Sequence, residues 1–256
     1  MAMNRASFAK MLEPGLNTLF GLEYDSYPAE YEAVFESNTS QKAFEEDVLL
    51  AGFGSAPTKN EGASVSYDDA GQQWTARYQH ETVALAFSIT EEAEEDGQYG
   101  SIASRYTKAL ARSMSSTKEI KAANVLNNAT SVNIGDGTTL LSTSHPTQNG
   151  NQSNTLATAA DLSETSLESI LIQIADMKDE RGLRVAAQGT RLVIPTAYTF
   201  VAERLLESQL RTGTADNDIN AIKSGGYLPG GYHVMRRLTD SDAFFVLTDV
   251  PDGLKM

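Results

Sequence analysis

The stretch Gly97–Asn128 constrains this chain more than any other. It contains no Pro, and its two glycines, Gly97 and Gly100, stand near its start. As a helix it would be a rod of roughly 45 Å. Steps of about 100° per residue place Tyr99, Ile102, Tyr106, Ala109, Leu110, Met114, Thr117 and Ile120 on one broad stripe, the face expected to pack. Arg105, Lys108 and Arg112 fall together on the opposite side. The acidic burst Glu91–Asp96 lies at the positive end of the helix dipole, with Lys118 and Lys121 towards the negative end. Such a rod suits the backbone of a subunit, with one face packed and the other left for something else.

What precedes the rod looks like an arm followed by a ribbon. Residues 1–58 set Phe20, Leu22, Tyr24, Tyr27, Tyr31, Val34 and Phe35 among Gly and Pro punctuation, with only short periodic runs. Between Glu23 and Asp47 there are eight acids and one base, Lys42. Either this segment is a loop-rich layer on its own domain, or it is an arm whose aromatics are buried on a neighbouring subunit. Residues 62–89 read as a β-hairpin: Ala63, Val65 and Tyr67 alternate, Asp68-Asp69-Ala70-Gly71 has turn chemistry, and Trp74, Ala76 and Tyr78 alternate back. The second strand continues as a period-2 row, Val83, Leu85, Phe87 and Ile89, expected to be buried. Trp74 sits near the hairpin tip, with no core of its own subunit to join. A projecting two-stranded ribbon is marginal in water and needs a partner surface. Trp74, Arg77 and Tyr78 on the hairpin, with Tyr24, Tyr27 and Phe35 on the arm, are therefore the candidate intersubunit contacts.

After a loop-like stretch from Thr130 to Thr158, a second unit begins. Ser163 or Thr165 caps a helix, with Thr165–Glu168 as a candidate capping box. Leu167, Ile170, Leu171, Ile174 and Met177 form its stripe, and Gly182 is expected to close it. Arg191–Ile194 reads as a short buried strand, and Pro195 starts another helix. Tyr232–Leu238 and Ala243–Thr248 read as a hairpin across Thr239–Asp242. These elements together make an α+β chain.

Chemistry is hard to find. Thirty-four acids against twenty bases leave a net charge of −14, which argues against a dedicated nucleic-acid binder. Cys is absent, excluding disulfides, a thiolate metal site and a Cys nucleophile. His80, His145 and His233 have no second His at ligand spacing, so no metal site is expected. Asp216-Asn-Asp218-Ile-Asn220 starts like a calcium loop but puts Ala221 where Gly is needed and Tyr227 where the bidentate Glu belongs. Gly52-Phe-Gly54 has Pro57 at the third Gly position of a dinucleotide loop. Ser144, His145 and Asp136 contain the residue types of a hydrolase site, but polar loop is the better reading. No cofactor is expected, and the chain reads as a non-enzyme. The N-terminus lacks an apolar signal region, and no apolar run approaches a membrane span, so a soluble, non-secreted protein is expected.

The order of elements resembles a known family. The acidic arm leads to Gly52-Phe-Gly-Ser-Ala-Pro57, the hairpin ends in Phe87-Ser-Ile-Thr-Glu-Glu92, and the helix carries Arg105-Tyr-Thr-Lys-Ala-Leu-Ala-Arg-Ser-Met114 and Ala122-Ala-Asn-Val-Leu-Asn-Asn-Ala129. Ser142-Thr-Ser-His-Pro146, Thr214-Ala-Asp-Asn-Asp-Ile-Asn220 and Thr248-Asp-Val-Pro-Asp-Gly-Leu254 follow. Together these runs resemble the major capsid proteins of tailed double-stranded-DNA bacteriophages, of the Hong Kong ninety-seven type fold.

That resemblance implies an N-terminal arm at 1–58, an extended hairpin loop at 59–90, a peripheral domain on the spine helix at 91–134 and an axial domain at 135–256. It implies a virion protein, assembled in the host cytoplasm, that forms an icosahedral shell of pentamers and hexamers around double-stranded DNA. Arg105, Lys108 and Arg112 would then form a lumen-facing row in weak, non-specific contact with the genome. Scaffold, portal and decoration proteins are implied as partners, and no membrane. The family usually returns from the axial domain to the peripheral sheet, whereas this chain stops at Met256. Some members cross-link the hairpin loop to a neighbour through a Lys–Asn isopeptide bond; from Glu61 to Glu92 this chain has no Lys. Two other readings stand beside the shell: an encapsulin-type compartment of the same fold, and a monomeric acidic hydrolase or binding protein.

Overall fold

The computed structural model describes residues 6–88, 99–211 and 218–256, with side chains from 16 onward and, in the second segment, from 102. The acidic burst Glu91–Asp96 and the first two positions of the calcium-like run, Asp216 and Asn217, lie outside the described residues. The backbone divides into two units: residues up to Glu32 together with Glu81–Ala122, and Ala33–His80 together with Ala123–Met256.

The first unit holds helix α1, Ala6–Ser26, and most of the long helix α2, Tyr99–Asn127. Helical structure over 6–26 corrects the reading of 1–58 as an arm with only short periodic runs. Pro14 and Gly15 broke the sequence pattern there, yet leucines and other strong helix formers on both sides carry the helix through them. Below α1, the Glu119 carboxylate of α2 accepts the Glu30 backbone N–H at 2.8 Å. Lys118 donates to the Tyr31 hydroxyl at 2.5 Å, with its ammonium 4.4 Å from that ring's centroid.

α2 is the predicted rod, but it is turned over. Its buried positions are Ala103, Thr107, Ala111, Glu119, Ala122, Ala123 and Leu126. The stripe expected to pack contributes none of these: Tyr106 is 55% exposed and Ile120 46%, while Ile102, Leu110, Met114 and Thr117 are half-buried. Small side chains allow the closest approach of neighbouring backbone, and that outweighed the larger apolar area of Tyr106 and Ile120.

In the second unit, strand β1 (Phe44–Ala51) pairs antiparallel with β2 (Gly71–Gln79), setting Glu46 opposite Arg77 and Asp47 opposite Ala76. β2 is half of the predicted hairpin, but its partner lies upstream of the predicted one. Ala63–Tyr67 forms no strand; it belongs to a connection running from 52 to 70, in which Tyr67 is 95% exposed. Three consecutive acids, Glu45-Glu46-Asp47, hide the period-2 pattern of β1, and the Arg77–Glu46 pair across the ribbon supplies what that pattern lacked. Residues 80–88 form no strand either, so Val83, Leu85 and Phe87 are exposed where a buried row was expected.

The rest of the unit is built on a sheet of order β6-β5-β7. β5 (Gly189–Ile194) is the expected buried strand, with Leu192, Val193 and Ile194 fully buried. β6 (Tyr232–Val234) joins it in parallel and β7 (Phe245–Thr248) antiparallel. β6 and β7 were expected to pair with each other. The fully buried end of β5, Leu192–Ile194, must satisfy both of its edges in a dry environment, so β5 takes the position between them.

Helix α3 (Glu164–Ala175) starts at Ser163, whose hydroxyl accepts from Ser166 N–H while the Ser166 hydroxyl accepts from Ser163 N–H. The capping box therefore forms two residues earlier than Thr165–Glu168, over Ser163–Ser166. The helix ends at Ala175, and Gly182 (φ +87°) instead serves a turn at 179–183. Pro195 precedes a 3₁₀ turn, Thr196–Tyr198, that leads into α4 (Thr199–Glu207). A short α5, Ala221–Gly225, follows. Between α3, α4, α5 and the sheet, Leu162, Leu167, Leu192, Ile194, Ala202, Leu206, Ile222 and Leu228 form the core. Each fully buried aliphatic there stabilises by about 1.5–3 kcal/mol relative to exposure. β3 (His145–Thr147) and β4 (Gly150–Gln152) make a separate small hairpin. At the chain end, Glu36 N–H donates to Leu254 O at 2.8 Å, and Met256 N–H to Glu36 O at 2.9 Å. Residues 254–256 thus return to pair beside the start of this unit, while Lys255 bridges Asp47 and Asp252 at 2.8 Å each.

Candidate interaction surfaces

The β1–β2 ribbon carries three of the expected contact residues. Arg77 Nε donates to Glu46 at 2.7 Å, and its guanidinium carbon lies 4.5 Å from the Phe44 ring centroid. Tyr78 is at the surface, 37% exposed, and burial followed by the charge of Asp47 raises its hydroxyl above the ordinary value. Trp74 is different. Its ring lies against Gly135, where an added Cβ would stand 2.7 Å from Cε3, and this seats Trp74 half-buried within its own subunit. The expectation that Trp74 has no core to join is thus corrected; its partner, a glycine in a loop 61 positions on, leaves no hydrophobic trace in sequence.

The connection 52–70 is pinned as well. The Asp68 carboxylate accepts the Gly54 N–H at 2.8 Å and a guanidinium N–H of Arg181 at 2.5 Å, and Arg181 also donates to Gln148 at 3.0 Å. The Gly54 N–H first, then Arg181, hold Asp68 below its ordinary value. Phe53 and Val65 remain exposed on this connection.

On the first unit, Tyr24 stacks on Phe20 with ring centroids 5.9 Å apart, and Tyr27 donates to Glu23 at 3.0 Å. Phe35 falls in the second unit and is only 5% exposed; its burial inside its own chain removes it from any contact surface. Arg105, Lys108 and Arg112 are all exposed along α2, and Lys108 stands 3.6 Å from Glu23.

A family model described as phage capsid protein matches residues 72–255. The chain belongs to this family of phage capsid proteins. Among curated proteins, none matches it. Three solved structures of bacteriophage JBD30 are similar to this capsid protein. Its capsid aligns with a TM-score of 0.61 at 13% identity, covering 82% of this chain and 90% of that one. The JBD30 capsid decorated with minor capsid protein trimers gives 0.63 at 14%, covering 84% and 92%. The JBD30 procapsid gives 0.57 at 15%, covering 90% and 98%. At such identities the likeness speaks for the fold, a mixed α and β capsid architecture.

The trio Asp136, Ser144 and His145 of this capsid protein, read in sequence as polar loop, contains one close side-chain pair. His145 Nδ1 donates to Asp136 Oδ2 at 2.6 Å, and the Thr138 hydroxyl donates to the same carboxylate. Burial pushes the Asp136 carboxyl up, but hydrogen bonds from His145 and Thr138 outweigh it and leave the group below its ordinary value. His145 Nε2 is buried without a hydrogen-bond partner among the described residues, and the Ser144 hydroxyl lies by Ser142 at 3.4 Å. A hydrolase needs a nucleophile on that second nitrogen. The pair instead ties β3 to the loop at 134–139; its residue types were visible in sequence, and the contact itself depends on the path of the loop. Among the described residues no group of His, Asp and Glu is placed to hold a metal, and no helix is long and apolar enough to cross a membrane.

Proposed function

We infer that this chain is the major shell subunit, self-assembling into a closed icosahedral shell of pentamers and hexamers around double-stranded DNA. The family match over 72–255 carries the reading. It is supported by apolar side chains left uncovered on extended segments: Leu50 at 73%, Phe53 at 61%, Tyr67 at 95% and Leu85 at 56% exposure. A subunit that reaches neighbours by several modest contacts gains stability on closure through multivalency. Trp74, Arg77, Tyr78, Tyr24 and Tyr27 are the contact residues of this reading, and Phe35 is left out of that set.

In this reading residues 135–256 form the axial domain, and the peripheral domain is built on α2. Arg105, Lys108 and Arg112 face the lumen and touch packaged DNA weakly. Scaffold and portal proteins take part in assembly in the host cytoplasm. The decorated JBD30 capsid carries minor capsid protein trimers, and a decoration partner is proposed here on that analogy. Electron microscopy of the purified protein, with scaffold supplied, is expected to show closed particles of uniform size. Persistent monomer on gel filtration would overturn the reading. Shells containing only protein cargo would favour an encapsulin-type compartment.

A further inference from the structure

The inverted face of α2 carries an inference that does not depend on what the chain assembles into. Within the first unit, an open groove of about 530 Å³ runs along that face. Its floor is the line Ala109, Ser113, Ser116 and Ile120, spaced four, three and four residues apart. That spacing keeps the four on one side of the helix, and small residues in the middle admit another helix at close range. Lys108 and Arg112 form one rim. Arg105 continues this rim a turn earlier. Arg105 and Arg112 make no ion pair among the described residues, and Lys108 is held only at 3.6 Å by Glu23.

This is a cationic strip beside a line with small residues in its middle, apolar at its two ends Ala109 and Ile120, in a chain of net charge −14. At physiological ionic strength, charges beyond about 8 Å are screened, so the local strip governs what docks. We propose that this groove binds an acidic amphipathic helix of a partner protein, its apolar face on Ala109–Ile120 and its carboxylates on Lys108, Arg112 and Arg105. DNA suits the geometry less well. Phosphates would engage the rim and leave Ala109 and Ile120 without apolar partners, and three cations release few counterions. The weak DNA contact assigned above uses the same cations, so the two occupants exclude each other.

The test uses dissociated full-length chain and a labelled, capped peptide of about 21 residues, with Leu and Ala on one face and Glu flanking it. A Gln-for-Glu version and a DNA duplex of about 20 base pairs serve as competing probes. By fluorescence anisotropy at physiological salt, the Glu peptide is expected to saturate and to bind about tenfold more tightly than the Gln peptide. Arg112→Glu is expected to weaken it about tenfold, and Ser113→Phe, which fills the floor, to abolish it. Both sites are exposed, and an unchanged melting temperature confirms that the variants fold. Equal binding by either variant overturns the proposal. So does a duplex that binds more tightly than the Glu peptide and responds to Arg112→Glu, which would give the face to nucleic acid. Failure to saturate overturns it too, as does self-association lost in Ser113→Phe, which would mean that a second copy covers the groove.

Discussion

At Gly135 an added Cβ would stand 2.7 Å from Trp74 Cε3 and 3.1 Å from the Ala76 Cβ, so the close approach of β2 dictates glycine there. Gly135→Ala is expected to cost about 1–3 kcal/mol by overpacking. Trp74→Ala, at a half-buried site, is expected to cost about 2 kcal/mol, below the range for a fully buried ring. Contacting residues are not additive. In the Trp74→Ala background Gly135→Ala should therefore cost clearly less in urea unfolding of the dissociated subunit, with only the Ala76 contact left to crowd it. Full additivity would mean that the ring does not lie on Gly135. The Asp136 carboxyl, depressed below its ordinary value of 3.8, offers a second test at this scale. A carboxyl depressed by folding stabilises at all pH values above its unfolded value, and that contribution disappears as pH falls through the folded value. Asp136→Asn should therefore lower the melting temperature clearly above about pH 5, with the gap narrowing below about pH 3. A gap independent of pH would remove the ionised pair from the account.

Elements respond to burial more than to the pattern of large apolar residues. In α2, Ala111 is fully buried and Ile120 is 46% exposed. Ala111→Leu should destabilise the dissociated subunit by about 1–3 kcal/mol through crowding. Ile120→Ala should stay within about 1 kcal/mol. Thermal melts decide between the faces, and the reverse ranking would restore the stripe read from periodicity. The row Val83, Leu85 and Phe87 makes a related point. It has the alternation of a strand without a pairing partner among the described residues, and the Phe87 ring meets that of Tyr106 with centroids 5.8 Å apart. A row of this kind becomes a strand when a neighbour supplies the other edge.

For the whole molecule, composition and assembly are linked. In the proposed shell, subunits of net charge −14 would repel packaged DNA except where the α2 cations faced it. With no Lys between Glu61 and Glu92, cross-linking of the loop to a neighbour through its own lysine is excluded there. Assembled particles are accordingly expected to run on denaturing gels as one band near 27.6 kDa. A ladder of high-mass bands would locate a reactive Lys elsewhere, with Lys59 the first to replace.

Local signals were enough for several elements. The run Arg191–Ile194 was legible as a buried strand, Ser163 as one of two candidate caps, Pro195 as a helix opener and the rod that the structure shows over Tyr99–Asn127 as a long helix, because capping, apolar runs and breakers act within a few residues. The ordered runs also carried the capsid family, since their sequence along the chain is itself the signature. Tertiary structure alone decided which face of α2 packs, that β2 pairs with Phe44–Ala51, that β5 separates β6 from β7, and that Trp74 rests on Gly135. It also decided that Asp136 meets His145 while Ser144 stays apart. These are contacts between residues distant in sequence or dependent on loop path, and they are chosen by closest approach and by satisfying buried edges. Periodicity reports how apolar a face is; it carries no information about which other surface can come near enough to cover it.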